Sequence, residues 1–139
     1  MNDLATLYAL IRRFEGCRLM PYYCPSGVLT CGWGSTGFDV FPGRPWTQEY
    51  ADRRLEIDAQ RFVRETLAAC PLLAGERLCA TADFAYNCGA AALRASTLRR
   101  RVNEEAWEAA RSELRRWVRG GGRVLPGLVI RREAEAALL

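Results

Sequence analysis

The stretch from residue 14 to residue 37 constrains this chain most, because it joins a helical pattern directly to a hairpin pattern. Over residues 3–14, apolar side chains recur with the i, i+3, i+4, i+7 spacing of an amphipathic helix. Two short extended runs follow, separated by a Pro-Ser-Gly turn. The sequence therefore predicts a helix that delivers Glu15 to a β-hairpin. Cys24 and Thr30 flank the turn, so that both can face the carboxylate.

The remainder of the chain is predicted to be helical. A long, charged helix capped by Thr47 is expected to run to about Cys70. An apolar helix follows over residues 76–88. A further amphipathic helix, capped by Asn103, is predicted over residues 104–118 and is ended by a run of three glycines.

Length and charge limit the classes of protein to consider. A chain of 139 residues with half of them hydrophobic supports one globular domain with a real core. The net charge is +4, and all basic residues are arginine. This excess indicates either a coding bias or attraction to an anionic polymer such as bacterial wall or nucleic acid. No zinc-finger, helix-turn-helix or RNA-binding signature is evident, so nucleic acid is not expected as a partner.

The N-terminal segment carries charges at Asp3, Arg12 and Arg13. They interrupt its apolar stretch too often for a signal peptide. No run approaches 18 apolar residues, so no transmembrane helix is expected. We therefore expect synthesis in the cytosol. Separately, Asn2 or Asp3 is expected to cap the first helix.

The six cysteines do not form a metal-binding pattern. They lack Cys-x-x-Cys spacing and the chain has no histidine, so neither a zinc site nor a cofactor is expected. A framework of structural disulfides is not indicated for a cytosolic chain. A single disulfide from Cys24 to Cys17 or Cys31 could nevertheless form in an oxidised resting state. Cys70, Cys79 and Cys88 lie in apolar helical contexts and are interpreted as small buried hydrophobic residues.

Three ordered blocks of sequence resemble the phage-type lysozymes, the T4-like endolysins of glycoside hydrolase family 24. The first is Glu-Gly-x-Arg-Leu-x-x-Tyr from Glu15, followed by Gly-Val-x-Thr-x-Gly-x-Gly from Gly27. The second is Phe-Ala-Tyr-Asn-Cys-Gly over residues 84–89 with Ser-Thr-Leu after it, and the third is Gly-Leu-x-x-Arg-Arg-x-x-Glu over residues 127–135. Within the first block, Glu15, Cys24 and Thr30 keep the family's catalytic spacing, but the family usually has Asp at the middle position. The family's usual His after Gly-aromatic-Gly is Ser35.

The resemblance implies an α+β, lysozyme-like fold in a single domain over residues 1–139. A β-hairpin lobe of about residues 15–46 would be joined by the long helix to a helical lobe of about residues 47–139 plus the N-terminal helix. It implies a monomeric endolysin, a muramidase that hydrolyses the β-1,4 bond between N-acetylmuramic acid and N-acetylglucosamine in peptidoglycan. Such an enzyme would wait in the host cytoplasm until a holin gives it access to the periplasmic wall.

Residue roles follow from the same resemblance. Glu15 would be the general acid, which must be protonated at the working pH, and Thr30 would position water or steady the transition state. Asn87 is expected to line the cleft, although its position beside Gly89 also fits a helix C-terminal cap. Arg131 and Arg132 are expected near the substrate, and one of them is predicted to pair with Glu15.

Cys24 leaves three interpretations open. A thiol has a reference pKa of about 8.5, against about 3.9 for Asp, so it is a weak candidate for a general base. A thiolate is nevertheless a strong nucleophile, and Cys24 could replace the carboxylate. Alternatively, the chain is a catalytically weak peptidoglycan-binding protein with a lysozyme fold, or a structural protein in which the motif misleads. The arginines at 111, 115, 116 and 119 form either a solvated helix face or a contact for an anionic wall or membrane.

Overall fold

A computed structural model describes residues 3–139, mostly as helices with two small hairpins. The helices are Ala5–Glu15 (α1), Gln48–Ala69 (α2), Gly75–Cys88 (α3), Ala90–Ala95 (α4), Thr97–Asn103 (α5), Trp107–Leu114 (α6) and Pro126–Ala136 (α7). The strands are Arg18–Tyr23 (β1), Leu29–Gly32 (β2), Arg119–Gly120 (β3) and Arg123–Val124 (β4). This mixture of a dominant helical part and a small hairpin confirms the predicted α+β class.

The N-terminal hairpin forms a small lobe with its own core. Strands β1 and β2 pair antiparallel, with Tyr22 opposite Thr30, and the register shifts between Arg18 and Tyr22. Beneath them, four buried side chains form a separate apolar cluster: Cys31, Val40, Trp46 and Ala51. Because Ala51 belongs to the long helix, this cluster also packs the hairpin lobe against that helix.

Helix α3 is the centre of the larger lobe. Its residues from Leu78 to Ala85 are all buried, so the helix is enclosed on every side instead of presenting one apolar stripe. Helix α2 packs along it through Leu55, Ala59 and Val63. Since α2 also contacts β2, this single helix of 22 residues connects the two lobes.

The predicted bounds of the first helices are largely confirmed, as is the Thr47 cap, whereas the N-cap residue of α1 is Leu4. The Asp3 carboxylate accepts a hydrogen bond from the Ala5 N–H at 2.9 Å, whereas Asn2 lies outside the described residues. The Thr47 hydroxyl accepts from the Tyr50 N–H at 3.0 Å and caps α2, which ends one residue before Cys70. The helix over residues 76–88 corresponds to α3.

The prediction of one helix over residues 104–118 was wrong. Asn103 is the last residue of α5, and its side-chain amide donates to the Ala69 carbonyl at 3.0 Å instead of capping the next helix. Glu105 has φ of 55°, which a continuous right-handed helix cannot contain. A second helix therefore starts at Trp107, and the glycines belong to the β3–β4 hairpin.

Hydrogen bonds fasten the hairpin lobe to the helical lobe. The Trp33 indole donates to Asp52 on α2 at 2.8 Å. The Ser35 hydroxyl donates to Asp58 on the same helix at 2.6 Å, in a buried contact. The Tyr86 hydroxyl on α3 donates to the Trp33 carbonyl at 2.7 Å. Ser35 stands where the phage-type lysozymes usually have His, and its uncharged hydroxyl makes the hydrogen bond to α2.

Candidate active site

A cleft of about 900 Å³ lies between the two lobes. It is bordered by the hairpin on one side and by the C-terminal end of α3 on the other. The polar and thiol-bearing side chains that line it are Glu15, Tyr22, Cys24, Ser26, Thr30, Thr36, Asp58, Arg61, Tyr86, Asn87 and Cys88. The cleft therefore brings together all three residues of the predicted catalytic spacing.

Glu15 is the last residue of α1, and its side chain reaches the cleft at the point where the chain turns into β1. The next residue, Gly16, leaves the helix with φ of 66°. The Glu15 side chain keeps 20% of its surface exposed and accepts a hydrogen bond from Arg131 at 2.5 Å. A single carboxylate is thus held by a buried guanidinium on one side and open to the cleft on the other.

The backbone of Gly34 forms part of the wall around Glu15. A Cβ atom at Gly34 would lie 2.6 Å from Glu15 Oε1, and the residue has φ of 91°. The backbone conformation favours glycine there, and a Cβ atom would force the Glu15 carboxylate to move. The Gly-Trp-Gly segment of the first sequence block therefore fixes the position of the carboxylate.

Thr30 and Cys24 approach the cleft from the hairpin. Thr30 is buried, and its hydroxyl donates to the Val28 carbonyl at 2.9 Å. The Cys24 N–H donates to the same Val28 carbonyl at 3.0 Å, which places both residues around the turn. The Cys24 thiol lies 2.9 Å from the Ser26 hydroxyl.

The surroundings of Cys24 favour its thiolate. The Ser26 hydroxyl lowers the pKa of the Cys24 thiol, against a smaller opposing effect of burial, and hydrogen bonds from the backbone at Val28 and Ser26 act in the same direction. A lower pKa increases the fraction of nucleophilic thiolate at neutral pH. The thiol at this position is thus better suited to chemistry than an isolated cysteine.

The structure separates the two adjacent arginines. Arg131 is the residue that pairs with Glu15. Arg132 is fully buried, does not line the cleft, and donates to Asn87 at 2.7 Å. Arg132 holds the cleft-lining residues Asn87 and Cys88 from within the helical lobe, and its predicted place near the substrate stays a prediction. Asn87 does line the cleft, and Arg132 holds its side-chain oxygen.

Sequence reasoning missed three features of this site. Asp83, fully buried in α3, binds Arg131 through two hydrogen bonds. Asp58 lines the cleft beside Ser35. Cys88 is half-buried at the cleft and lies 3.0 Å from an Arg132 nitrogen, so it is not the buried hydrophobic residue that was predicted. An acidic residue inside an apolar helix was the available signal for Asp83, since buried charges require partners.

The other cysteines lie away from Cys24. Cys70 and Cys79 are buried in the larger core, as predicted. Cys31 is fully buried under the hairpin, where burial raises the pKa of its thiol. Cys17 and Cys24 flank the six residues of β1, an extended span of about 20 Å, whereas a disulfide needs Cα atoms within about 7 Å. A disulfide between Cys17 and Cys24 would therefore require the hairpin to rearrange.

Two further properties bear on function. Within residues 3–139, no group of three or more Cys, Asp or Glu side chains is arranged to hold a metal ion. The same part of the chain contains no helix with the length and apolar character needed to cross a bilayer. The cleft thus offers a carboxyl group, a thiol and a hydroxyl to one substrate, a set suited to acid–base and nucleophilic chemistry.

Among known sequences, this chain is similar to phage endolysins. It is 37% identical over 122 residues to a SAR-endolysin of Bacteriophage PS119, covering 87% of this chain and 73% of that protein. It is 36% identical over 132 residues to an endolysin of Bacillus phage B103, covering 93% of this chain but only 50% of the relative. The chain therefore spans about half the length of the Bacillus phage protein.

Solved structures agree with the sequence comparisons. The muramidase domain of SpmX from Asticaccaulis excentricus matches with a TM-score of 0.86 at 30% identity, covering 99% of this chain and 97% of that one. An endolysin from Escherichia coli O157:H7 phage FAHEc1 matches with a TM-score of 0.84 at 27% identity, covering 98% of this chain and 92% of that one.

The family comparison spans nearly the whole described fold. The sequence profile of the family described as "Phage lysozyme" matches residues 12–135. That range includes Glu15 at the end of α1, the entire hairpin lobe, and α7 as far as Glu135. On this evidence, the chain belongs to the phage lysozyme family, whose members are glycosidases of the lysozyme type.

Proposed function

We infer that this protein is a muramidase, which cleaves the β-1,4 bond between N-acetylmuramic acid and N-acetylglucosamine in peptidoglycan. The observation that carries the proposal is the convergence of Glu15, Cys24 and Thr30 on one cleft at the spacing of the family. In this proposal Glu15 protonates the oxygen of the leaving sugar. The Cys24 thiolate attacks the anomeric carbon or activates water, and Thr30 orients the reacting group.

The physical setting supports these roles. The Glu15 side chain is partly exposed and lines the cleft, so a proton on it can be passed directly to a bound sugar. Cys24 and Thr30 reach the cleft from the hairpin, and Glu15 reaches it from the end of α1. A cleft that receives an acid from one element and a nucleophile or base from another supports the proposal, because glycoside hydrolysis needs both groups.

Product analysis tests the proposal. Purified peptidoglycan is digested, the products are reduced with borohydride, and the new ends are identified by mass spectrometry. A muramidase generates N-acetylmuramitol ends; N-acetylglucosaminitol ends, or anhydro ends that resist reduction, would contradict the proposed bond. The anomeric configuration of the fresh product then separates retention from inversion. Binding to wall without new ends would instead identify the catalytically weak peptidoglycan-binding alternative.

The remaining parts of the proposal concern partners. Holin-dependent access to the wall and a monomeric state stay predictions from the family resemblance. Three arginines of the basic helical face lie within 3.4 Å of a glutamate carboxylate, namely Arg111 with Glu108, Arg115 with Glu133 and Arg116 with Glu113. These pairs reduce the charge available for an anionic surface, so we propose peptidoglycan as the main partner.

Gly34→Ala is expected to reduce hydrolysis by at least about tenfold. The new Cβ would displace the Glu15 carboxylate, and the positive φ would cost about 1–3 kcal/mol of stability. Peptidoglycan turbidity assays and urea denaturation measure the two effects. Gly37→Ala is the matched control, since its φ of 125° is also strained but the nearest atom to its Cβ is 3.8 Å away, on Asp39. Equal activity losses in the two variants would contradict a specific contact with Glu15.

A further inference from the structure

The catalytic role proposed for Glu15 raises an electrostatic problem. A general acid must hold a proton, yet a guanidinium at hydrogen-bonding distance stabilises the ionised carboxylate. Arg131 lies 2.5 Å from Glu15, and its side chain is only 4% exposed. With so little solvent around the pair, the attraction is weakly screened. Some other group must offset the charge of Arg131 if Glu15 is to be protonated.

Asp83 is placed to offset that charge. Its carboxylate accepts from Arg131 Nε at 2.9 Å and from Nη2 at 2.8 Å, a bidentate contact that leaves only Nη1 for Glu15. The Asp83 side chain has no exposed surface, so its charge is directed at the guanidinium and not at water. Although burial opposes ionisation, hydrogen bonds from Glu135 and Arg131 hold the pKa of Asp83 below its usual value.

The surrounding charges do not remove this effect. On α7, Arg132 and Glu135 lie 2.8 Å apart, and both are fully buried. Burial and the neighbouring Asp83 raise the pKa of Glu135 well above its ordinary range, whereas that of Asp83 is lowered, so Asp83 is the more readily ionised of the two carboxyl groups. The other titratable groups that border the cleft around Glu15 are Tyr22, Cys24, Asp58, Arg61, Tyr86 and Cys88. Arg13 borders a second depression beside Glu15 and Arg131. Within the described residues, none of these groups forms a hydrogen bond or an ion pair with Arg131.

We propose that Asp83 is a positioning residue for the reaction: by pairing with Arg131 in a bidentate contact, it keeps that arginine fixed and neutralised, so that Glu15 can carry the catalytic proton. Arg131 then serves as a hydrogen-bond donor that orients Glu15 without holding it ionised. The inference rests on the proposed role of Glu15 as the general acid.

The test measures the pH dependence of peptidoglycan hydrolysis. Glu135 lies 3.9 Å from Arg131 and could ionise in place of Asp83, so the reference protein is Glu135→Gln. Adding Asp83→Asn to this reference should move the basic limb of the activity profile to lower pH by about one to three units, because Arg131 then acts on Glu15 alone. Activity should recover toward the reference value at low pH. A purely structural role would lower activity at every pH without moving the limb, and that result would overturn the proposal.

A second measurement needs no variant and so remains decisive if the substituted protein does not fold. Carbon-13 NMR of the carboxyl groups in the intact protein follows Asp83 and Glu15 separately. Asp83 should remain ionised throughout the pH range in which the wild-type protein is active, and protonation of Asp83 within that range would overturn the inference. Failure of the underlying function is distinguishable, since wild-type protein and Glu15→Gln would then hydrolyse peptidoglycan equally.

Discussion

Replacing Glu15 with glutamine is expected to lower the rate of peptidoglycan hydrolysis by about 10²- to 10⁴-fold, the usual contribution of a general acid. Glutamine keeps the shape of the side chain and an oxygen for Arg131, but it has no proton to give to the leaving sugar. The rate is measured by the release of reducing ends from purified peptidoglycan. Folding is checked by urea denaturation, and binding by co-sedimentation with the wall.

The substitution at Glu15 has a matched control on the surface. Glu133 is 53% exposed, and its only ion-pair partner within residues 3–139 is Arg115, which is itself 45% exposed. Glu133→Gln removes the same charge without touching the cleft, and a surface pair of this kind contributes at most about 1 kcal/mol to stability. It should therefore hydrolyse peptidoglycan at the wild-type rate. If Glu15→Gln kept half of the activity, Glu15 would not be the general acid.

Substitutions at Cys24 are expected to have the second-largest effect. Cys24→Ser should be severely impaired, by about a hundredfold or more, because a hydroxyl is a much weaker base and nucleophile than a thiolate at neutral pH. Cys24→Asp should retain substantial activity, since a carboxylate can act as base or nucleophile in the same cleft. Both variants are compared with the wild type by the release of reducing ends across the pH range.

The pH profile of hydrolysis tests whether Cys24 acts as a thiolate. As the pH falls through the pKa of the Cys24 thiol, the thiolate is protonated, so wild-type activity should fall on the acidic side. An aspartate stays ionised to much lower pH. Cys24→Asp should therefore extend activity toward acid. Identical acidic limbs in the two proteins would show that Cys24 does not set the limb.

Alkylation provides an independent check on Cys24. Iodoacetamide should inactivate the wild type but not Cys24→Asp. Cys88 also lines the cleft and is half-buried, so the experiment is done in a Cys88→Ala background. If the Cys88→Ala protein stays active after complete modification of Cys24, the Cys24 thiol takes no part in the reaction. Glu15 and Thr30 would then be the working pair.

Local patterns predicted much of the architecture. Helix α1, the hairpin and the Thr47 cap could be predicted from the spacing of residues close together in sequence, and the structure contains all three. The break near Glu105 could not be predicted, because its left-handed conformation separates two segments that each have helical spacing. The β3–β4 hairpin was missed for a related reason: two residues per strand leave no alternating pattern to detect.

The site was predictable only where residues are close in sequence. Glu15, Cys24 and Thr30 belong to one continuous block, so their convergence on the cleft could be anticipated. The partner of Glu15 could not be chosen between Arg131 and Arg132, because neighbouring helical residues point about 100° apart and the rotation of α7 is set by tertiary packing. Asp83 was missed because its partner Arg131 is 48 positions away, and no local pattern connects the two residues.

The separate apolar cluster under the hairpin implies that the protein need not lose its parts together. That cluster has only four buried members, one of which, Ala51, belongs to α2. The rest of the attachment consists of hydrogen bonds and an ion pair to α2 and α3. Elements with few buried apolar contacts open at lower free energy than the rest of a domain. Sub-global opening of the hairpin would carry Cys24 and Thr30 away while Glu15 stayed with Arg131 and Asp83. The active site would then come apart reversibly. Glu15, Arg131 and Asp83 would stay folded, and the hairpin would pack against them again when it closes.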